Sequence, residues 1–377
     1  MSTFISTVLP FILVLSILVF VHEYGHFWVG RRNGVRVSTF SIGFGPELFG
    51  WTDKHGTRWR VSPIPLGGYV KFFGDQDVSS TTVDKSLVST LSDAEKATML
   101  HNKTPLQRIA VAVAGPAANY LFAIIALTAL IAVKGMPVQV TSIAHVEPGS
   151  LADKIGIKVD DKIIQFGTHE IKKFADIRAA IADSVNKDVN IIVDRNNANV
   201  VLEAKLYTEV NAVRSPIKTL GIAPGTVYEK ASIISALGKS IHYCYSMSAE
   251  ILKMLGNIFT GTSKGEVGGF IAIAEGASQS WQGGPAALVL FMVMLSINLG
   301  FINLLPVPVL DGGHILFCTI EAIRGRPLSE KLQERIFMAG LALVLGLMVY
   351  TTGADIMRKK SWFVDVYTSV THFVGIK

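Results

Sequence analysis

The sequence His22-Glu23-Tyr24-Gly25-His26 stands at the downstream end of an almost uncharged apolar stretch that begins at Phe4. Residues four apart share one face of a helix, so His22 and His26 can turn both imidazoles toward a single divalent metal ion. The same stretch is long enough to cross a bilayer, where an ionisable side chain near the middle costs roughly 2.5 to 3.5 kcal/mol. Three ionisable side chains on one turn therefore predict a compensating partner, and a metal ion is the obvious one.

The composition is that of a membrane protein. Half of the 377 residues are hydrophobic and only 17% are charged, whereas soluble chains carry about 25% charged residues. The net charge of +6 comes from scattered basic residues, so the sequence does not favour a nucleic-acid partner. Cys244 and Cys318 lie far apart, which favours neither a disulfide framework nor a thiolate metal site. Any metal must therefore use histidine and carboxylate ligands.

The first apolar stretch is expected to stay in the mature protein as a membrane helix. It lacks the basic start of a secretory signal peptide, and cleavage there would discard the pentad. Three basic residues follow it, which by the positive-inside rule places that end in the cytoplasm and the N-terminus outside; these are Arg31, Arg32 and Arg36. Three more apolar stretches follow, about 109–133, 286–305 and 336–351.

The third span ends in a proline-rich segment, Asn303-Leu304-Leu305-Pro306-Val307-Pro308-Val309-Leu310-Asp311-Gly312-Gly313-His314. Two prolines two residues apart cannot both sit in an unbroken helix, so the helix is expected to open here. Irregular backbone at membrane depth is tolerated only against protein or a water-filled cavity, which makes Asp311 the natural third ligand of the metal. The alternative is that Asp311 caps a following helix and that His314 is a satisfied polar neighbour.

Together, the pentad and the Asn303–Gly312 motif resemble the site-2 protease family of intramembrane metalloproteases. Flanking segments resemble its bacterial RseP branch, the regulator of sigma-E protease type; these are residues 41–46, 64–71, 102–104 with Arg108, and 115–119. The resemblance implies one zinc ion per chain, held by His22, His26 and Asp311, with Glu23 as the catalytic acid/base. It also suggests that Asn303 holds the substrate backbone, unless that amide only bonds within the helix break.

Residues 137–209 are typical of a small α/β module. Strands are expected at 138–144, 160–166, 189–194 and 200–207, with helices near 151 and at 174–184. This order resembles a circularly permuted bacterial PDZ domain, which binds an extended peptide at an open sheet edge. A spacer that only blocks access to the membrane site is the alternative. The chain has room for one such module, whereas RseP proteins often carry two.

Two further regions have distinctive patterns. Residues 230–259 are amphipathic and predict a helix lying against the bilayer or the core, followed by a glycine-rich connector. Residues 37–73 alternate as strands and predict a cytoplasmic β-hairpin sheet beside the active site. An edge formed by Gly67, Gly68 and Tyr69 could bind an extended substrate, although ordinary loop packing is the alternative. Asn119 is assigned to close packing between spans.

The sequence therefore predicts a polytopic α-helical membrane protein with four transmembrane helices, a membrane-associated cytoplasmic β-hairpin region and one external PDZ-like domain. The expected organisation is a first transmembrane helix (1–30), a cytoplasmic β region and loop (31–106), a second transmembrane helix (107–134), the PDZ-like domain (135–210), a periplasmic amphipathic helix and connector (211–284), a third transmembrane helix (285–314), a cytoplasmic loop (315–335), a fourth transmembrane helix (336–352) and a C-terminal tail (353–377).

The function expected from the resemblance is zinc-dependent endoproteolysis within the bacterial inner membrane. The expected substrates are single-span membrane proteins, such as anti-sigma factors after a first external cut, and possible further substrates are signal-peptide remnants. The active site is expected toward the cytoplasm and the PDZ-like domain in the periplasm. A metal-binding membrane transporter or sensor, or an envelope scaffold built on the PDZ-like module, would use some of the same residues.

Overall fold

The structure is a computed structural model that describes residues 2–76, 85–184, 187–205, 220–260 and 269–358. Two compact units are present: residues 1–129 with 234–377, and residues 130–233. The helices are α1 (Ser2–Arg32), α2 (Lys85–Thr90), α3 (Asp93–Lys96), α4 (Pro105–Lys134), α5 (Leu151–Lys154), α6 (Phe174–Asp183), α7 (Ile233–Phe259), α8 (Phe270–Gln282), α9 (Pro285–Leu304), α10 (Asp311–Arg324) and α11 (Glu330–Arg358).

The strands form two sheets, one in each unit. They are β1 (Val37–Phe44), β2 (Phe49–Thr52), β3 (Arg58–Val61), β4 (Ile64–Phe72), β5 (Met136–Val146), β6 (Lys162–Phe166), β7 (His169–Glu170), β8 (Asp188–Arg195), β9 (Ala198–Lys205) and β10 (Ile222–Glu229). The first unit carries the order β2-β3-β1-β4, and the second carries β10-β5-β6-β8-β9 with β7 paired to β6.

Four helices of the described residues are long and apolar enough to cross a membrane, namely α1, α4, α9 and α11. The predicted number of spans is thereby confirmed, and the chain is a multi-pass membrane protein.

The start of α4 has a clear local cause. The Thr104 hydroxyl accepts from the Gln107 N–H while the Gln107 side chain accepts from the Thr104 N–H, which is a capping box. Pro105 occupies the first helical position, where no donor is lost.

The predicted opening of the third span is observed between α9 and α10. The helix ends at Leu304 and resumes at Asp311, and Val309 between them has a φ of 92°. That conformation is strained for a β-branched residue. The segment 315–335, expected as a loop, is instead helical as far as Arg324 and again from Glu330, where α11 begins. Gly325 ends α10 in the left-handed conformation, with its N–H bonded to the Glu321 carbonyl.

Glycines let the opened segment pack tightly against its neighbours. A Cβ on Gly312 would lie 2.0 Å from the Leu305 carbonyl oxygen. A Cβ on Gly340 of α11 would lie 2.5 Å from the Pro308 carbonyl oxygen. Real Cβ atoms do not approach so closely, so a side chain at either position would force the backbone apart. The path of the segment is therefore held by direct backbone contact.

The strands of the first unit differ from the predicted arrangement, although β2 and β3 do form an antiparallel hairpin. β3 and β4 do not pair with each other, because β1 lies between them, parallel to β3 and antiparallel to β4. The sheet is tied to α1 through aromatic rings: the centroid of Trp59 lies 4.4 Å from that of Phe40 and 5.0 Å from that of Phe27. Since Phe27 follows His26 directly, this cluster places the sheet beside the pentad. The pairing could not be read from the alternation, which does not specify strand neighbours.

The second unit follows the expected strand and helix order, with two additional strands, β7 and β10. Asn196 and Asn197 both have positive φ, 56° and 63°, so they form the two-residue turn that joins β8 to β9. The unit does not end near residue 210, because β10 pairs antiparallel with β5 along its length. The buried core includes Ile143, Ile163, Phe166, Ile177, Ile191 and Leu220.

Residues 230–284 are more helical than expected. The predicted amphipathic helix is α7, whose Ser240 and Ser248 hydroxyls bond the hydroxyls of Thr128 and Tyr120. Because both pairs are eight residues apart and run in opposite directions, α7 lies antiparallel to α4. Within the expected connector, residues 270–282 form α8, which packs on α1 and α9. The remainder of that connector, 261–268, and the tail from 359 lie outside the described residues.

We predict that Asp161→Asn lowers the stability of the second unit by about 2 kcal/mol at pH 7. Burial acts to raise the pKa of Asp161, but hydrogen bonds from Arg195 and the Lys158 N–H outweigh it, so the pKa lies below its usual value. This stabilisation is present above the unfolded-state pKa of about 3.9 and is lost as the pH falls through the lowered folded-state value. Hydrogen exchange of β6 and β8 amides in the full chain measures it.

The exposed Asp188→Asn on β8 is the matched control. It should leave exchange protection unchanged within about 0.5 kcal/mol. Equal protection in the Asp161 and Asp188 variants would contradict the assignment of this ion pair as a stabilising contact.

Candidate metal centre

The pentad lies on the last third of α1, and its two imidazoles face each other. The Nε2 atoms of His22 and His26 are 3.2 Å apart, and each residue is only 8% exposed. The spacing of four residues produces this arrangement because it returns to the same helix face after about one turn. The two rings stand nearly perpendicular, at 82°.

Asp311, the first residue of α10, completes the cluster. Its Oδ2 atom lies 3.2 Å from His22 Nε2, and its Oδ1 atom lies 3.4 Å from His26 Nε2. Asp311 is not the cap of α10, because that position belongs to Leu310 and no side chain caps it. The break between α9 and α10 therefore carries the carboxylate to the imidazoles.

The hydrogen bond on the far side of His26 determines its tautomer. His26 Nδ1 lies 2.8 Å from the Val111 carbonyl oxygen of α4. A carbonyl oxygen can only accept, so Nδ1 carries the proton and the neutral ring directs the Nε2 lone pair at His22 and Asp311. Lone pairs facing one another in a buried space require a cation between them.

The donor spacing fits zinc. Tetrahedral zinc with bonds of about 2.0 to 2.1 Å places its ligand atoms about 3.3 Å apart. The two Nε2 atoms are 3.2 Å apart, His22 Nε2 is 3.2 Å from Asp311 Oδ2, and His26 Nε2 is 3.4 Å from Asp311 Oδ1. Among the described residues, these three side chains form the cluster able to hold a metal. They come from two different helices, and each supplies a ligand type that zinc accepts.

Glycines in α1 and α4 make room for the rings. A Cβ on Gly115 would lie 2.2 Å from His26 Nε2 and 2.9 Å from His22 Cε1. A Cβ on Gly25 would lie 2.3 Å from the Ala114 carbonyl oxygen. Close helix contact through small residues is the usual way in which membrane helices associate. Here the contact also leaves α4 directly against the metal-binding face.

Glu23 of α1 is half-buried and lies beside the edge of the β2-β3-β1-β4 sheet. The Val70 N–H of β4 is hydrogen-bonded to its carboxylate, and a Cβ on Gly68 would lie 3.1 Å from its Cγ atom. The structure therefore brings Glu23 and the Gly68 backbone together beside the imidazoles. β4 passes this point because it pairs with β1, which the aromatic cluster fixes against α1.

The other candidate residues occupy different positions around the centre. Asn303 Nδ2 lies 3.4 Å from His22 Nε2, at the last turn of α9. Tyr69 stacks against Phe44, with ring centroids 6.1 Å apart. Gly67 has a φ of 156°, and a Cβ there would lie 2.6 Å from the Phe44 ring. Asn303 thus joins the cluster, whereas the Tyr69 ring packs against the sheet.

Asn119 has a contact that sequence reasoning missed. The sequence predicts a packing role for it, but its amide Nδ2 lies 3.0 Å from His22 Nδ1, and the residue is fully buried. The spacing of residues along α4 is the sequence feature that indicates this contact. Asn119 is four residues beyond Gly115 and eight beyond Val111, so all three share the face of α4 that meets the two rings.

Two imidazoles and a carboxylate at a break between membrane helices, with a glutamate on the same turn, define the class as a membrane-embedded, metal-dependent hydrolase. The chain matches the family described as peptidase family M50 over residues 10–347. The chain belongs to this family, the site-2 proteases, and is an intramembrane zinc metalloprotease.

Individual relatives agree with this assignment. A protein of Agrobacterium fabrum named as a zinc metalloprotease is 39% identical over 365 residues, covering 93% of this chain and 95% of the relative. One of Rhizobium meliloti with a similar name is 37% identical over 360 residues, covering 93% and 96%. Metalloprotease MmpA of Caulobacter vibrioides is 34% identical over 386 residues, covering 95% and 97%.

We predict that Gly115→Ala weakens zinc binding about 10-fold or more, because the added methyl group would overlap the His26 ring and displace its Nε2 atom. Competition with a chromogenic chelator on the purified full chain measures the change. Gly346→Ala in α11 is the control, since its Cβ meets no atom within 4 Å. Wild-type zinc affinity in the Gly115 variant would show that α4 does not confine the rings.

Proposed function

We propose that this chain cleaves peptide bonds of single-span membrane proteins within the bilayer, with zinc held by His22, His26 and Asp311 and with Glu23 as the acid/base. The observation that carries the proposal is the meeting of the three side chains, whose donor atoms lie 3.2 to 3.4 Å apart. Two histidines with one carboxylate form a ligand set of catalytic zinc sites, which keep a further position for water or substrate.

The chemistry divides between the metal and the chain. Zinc, when bound, supplies a Lewis acid that polarises the scissile carbonyl and makes the attacking water acidic. Glu23 accepts the proton of that water and later delivers it to the leaving amine. Its place one residue after His22 keeps it on the same helical turn. Asn303, with its amide 3.4 Å from His22 Nε2, can bond the substrate backbone next to the reacting carbonyl.

The edge of β4 presents the substrate in this proposal. A transmembrane substrate helix hides its amides in internal hydrogen bonds, and an extended edge can replace those bonds with intermolecular ones. Val70 directs its N–H to Glu23, so Gly68, two residues earlier, directs its N–H and C=O to the same outer edge. A substrate strand paired there would place its backbone beside Glu23.

The substrate class is proposed from the family resemblance, and the orientation from the charge pattern at the end of α1. The proposed substrates have a single span and have already been trimmed outside, as anti-sigma factors are in regulated intramembrane proteolysis; signal-peptide remnants are a second group. The arginines at the end of α1 support a cytoplasmic position for the pentad and an external position for the second unit in the bacterial inner membrane. The sheet and helices of that unit support a single PDZ-like module of the RseP type, which binds a peptide or limits access.

We predict that Glu23→Gln retains zinc but abolishes cleavage, because the amide cannot accept the proton. The measurement is co-expression with candidate single-span proteins, in which uncut fragments should accumulate in the variant. The exposed Glu203→Gln in the second unit is the control and should cleave normally. Full cleavage by Glu23→Gln would overturn the role of Glu23. One zinc per chain without any cleavage would favour a transporter or sensor.

We predict that a substrate span pairs with β4 as a strand. In the Glu23→Gln background with Cys244 and Cys318 replaced by serine, Tyr69→Cys should form disulfides with single cysteines placed along the substrate. Cross-linking should alternate with a period of two residues, since successive side chains of a strand point to opposite faces. Trp51→Cys on β2, at the opposite edge of the sheet, should not cross-link. A period near 3.6 would show that the substrate remains helical.

A further inference from the structure

Asn119 of α4 is placed against the metal centre without being a ligand. Its amide nitrogen lies 3.0 Å from His22 Nδ1, on the side of the ring that faces away from Asp311. Asn119 is 0% exposed, and its Oδ1 atom is buried without a hydrogen-bond partner among the residues that the structure describes. No contact therefore fixes which end of the amide faces the ring.

The His22 ring determines which end of the Asn119 amide must face it if His22 is to bind a metal through Nε2. The two ends of an asparagine amide are distinguished by their hydrogen-bond partners. If Nδ2 donates to His22 Nδ1, the neutral ring must carry its proton on Nε2 and cannot bind a metal there. If Oδ1 faces the ring, Nδ1 carries the proton, and the Nε2 lone pair points at Asp311 and His26.

The partner histidine shows the same arrangement already complete. His26 Nδ1 donates to the Val111 carbonyl oxygen at 2.8 Å, which leaves its Nε2 for the metal. Val111, Gly115 and Asn119 are spaced by four residues along α4 and therefore lie on one helix face. On that face Val111 provides the acceptor for His26, Gly115 leaves space for the two rings, and Asn119 lies next to His22. His22 and His26 have the same spacing on α1. One helix face thus meets both rings at matching intervals.

The backbone around Asn119 is held independently of its amide. The Ser296 hydroxyl of α9 donates to the Asn119 carbonyl oxygen at 2.9 Å, and Ser296 is also 0% exposed. This bond anchors the position of Asn119 between α4 and α9. It leaves the side-chain amide to interact with the histidine.

We propose that Asn119 is a positioning residue whose Oδ1 atom accepts the Nδ1 proton of His22 and thereby presents Nε2 to zinc. This inference rests on the proposed zinc site and extends it to a second layer of residues. Partners of this kind fix ring orientation and raise ligand basicity, and their loss costs about 10- to 100-fold in metal affinity.

The test is zinc affinity of the purified full chain, measured by competition with a chromogenic chelator. Asn119→Leu keeps the branching and the number of heavy atoms of the side chain but removes the acceptor, and should weaken zinc binding about 10- to 100-fold. Asn119→Asp keeps an oxygen that can accept from Nδ1, and should retain the wild-type affinity within about threefold. Ser296→Ala, which alters the same helix contact without touching the ring, should bind zinc normally.

The outcomes separate the possible roles. Wild-type affinity in Asn119→Leu overturns the proposal. Equal weakening in Asn119→Leu and Asn119→Asp, with both metal-free proteins folded, also overturns it, since a packing role would not be rescued by the acid. If Asn119→Leu does not fold, Asn119→Ala replaces it with the same expectation. Absence of zinc binding in the wild type would refute the proposed zinc site itself.

Discussion

The burial of two imidazoles and a carboxylate within 3.4 Å of one another is the constraint on which the rest of the structure depends. Any one of these groups alone would be costly among membrane helices, since burial removes most of the water that would solvate it. Together they can share a divalent cation, but only if helices from distant parts of the chain meet closely. The broken third span and the glycine contacts of α1 and α4 satisfy that requirement.

The β2-β3-β1-β4 sheet is held beside the same site by a different interaction. Phe40 and Trp59 stack on each other and both meet the Phe27 ring edge-on, which fixes β1 against the end of α1. β4 follows because it pairs with β1. Burial of large aromatic surfaces holds the sheet, whereas close backbone approach holds the helices. The proposed base and the proposed substrate edge are thereby placed side by side by two independent kinds of packing.

Local patterns predicted the parts of the structure whose causes are local. The spacing of His22 and His26, the two prolines after Asn303 and the apolar spans each act within a few turns of chain. The rest required knowledge of partners distant in sequence. β10 forms because it can pair with the edge of β5. α8 packs on α1 and α9, although the glycine-rich stretch that contains it suggested a connector. The contact of Asn119 with His22 spans 97 positions, and only the helix spacing on α4 hinted at it.

The backbone contacts around the α9–α10 break also bear on which ions the centre can select. With the Leu305 and Pro308 carbonyls seated directly on Gly312 and Gly340, Asp311 has little freedom to retreat from the imidazoles. Calcium takes about six to eight oxygen ligands, whereas two of the three side chains held here offer imidazole nitrogen. By holding the carboxylate beside two nitrogen donors, the segment favours zinc and other metals that accept nitrogen ligands over calcium and magnesium.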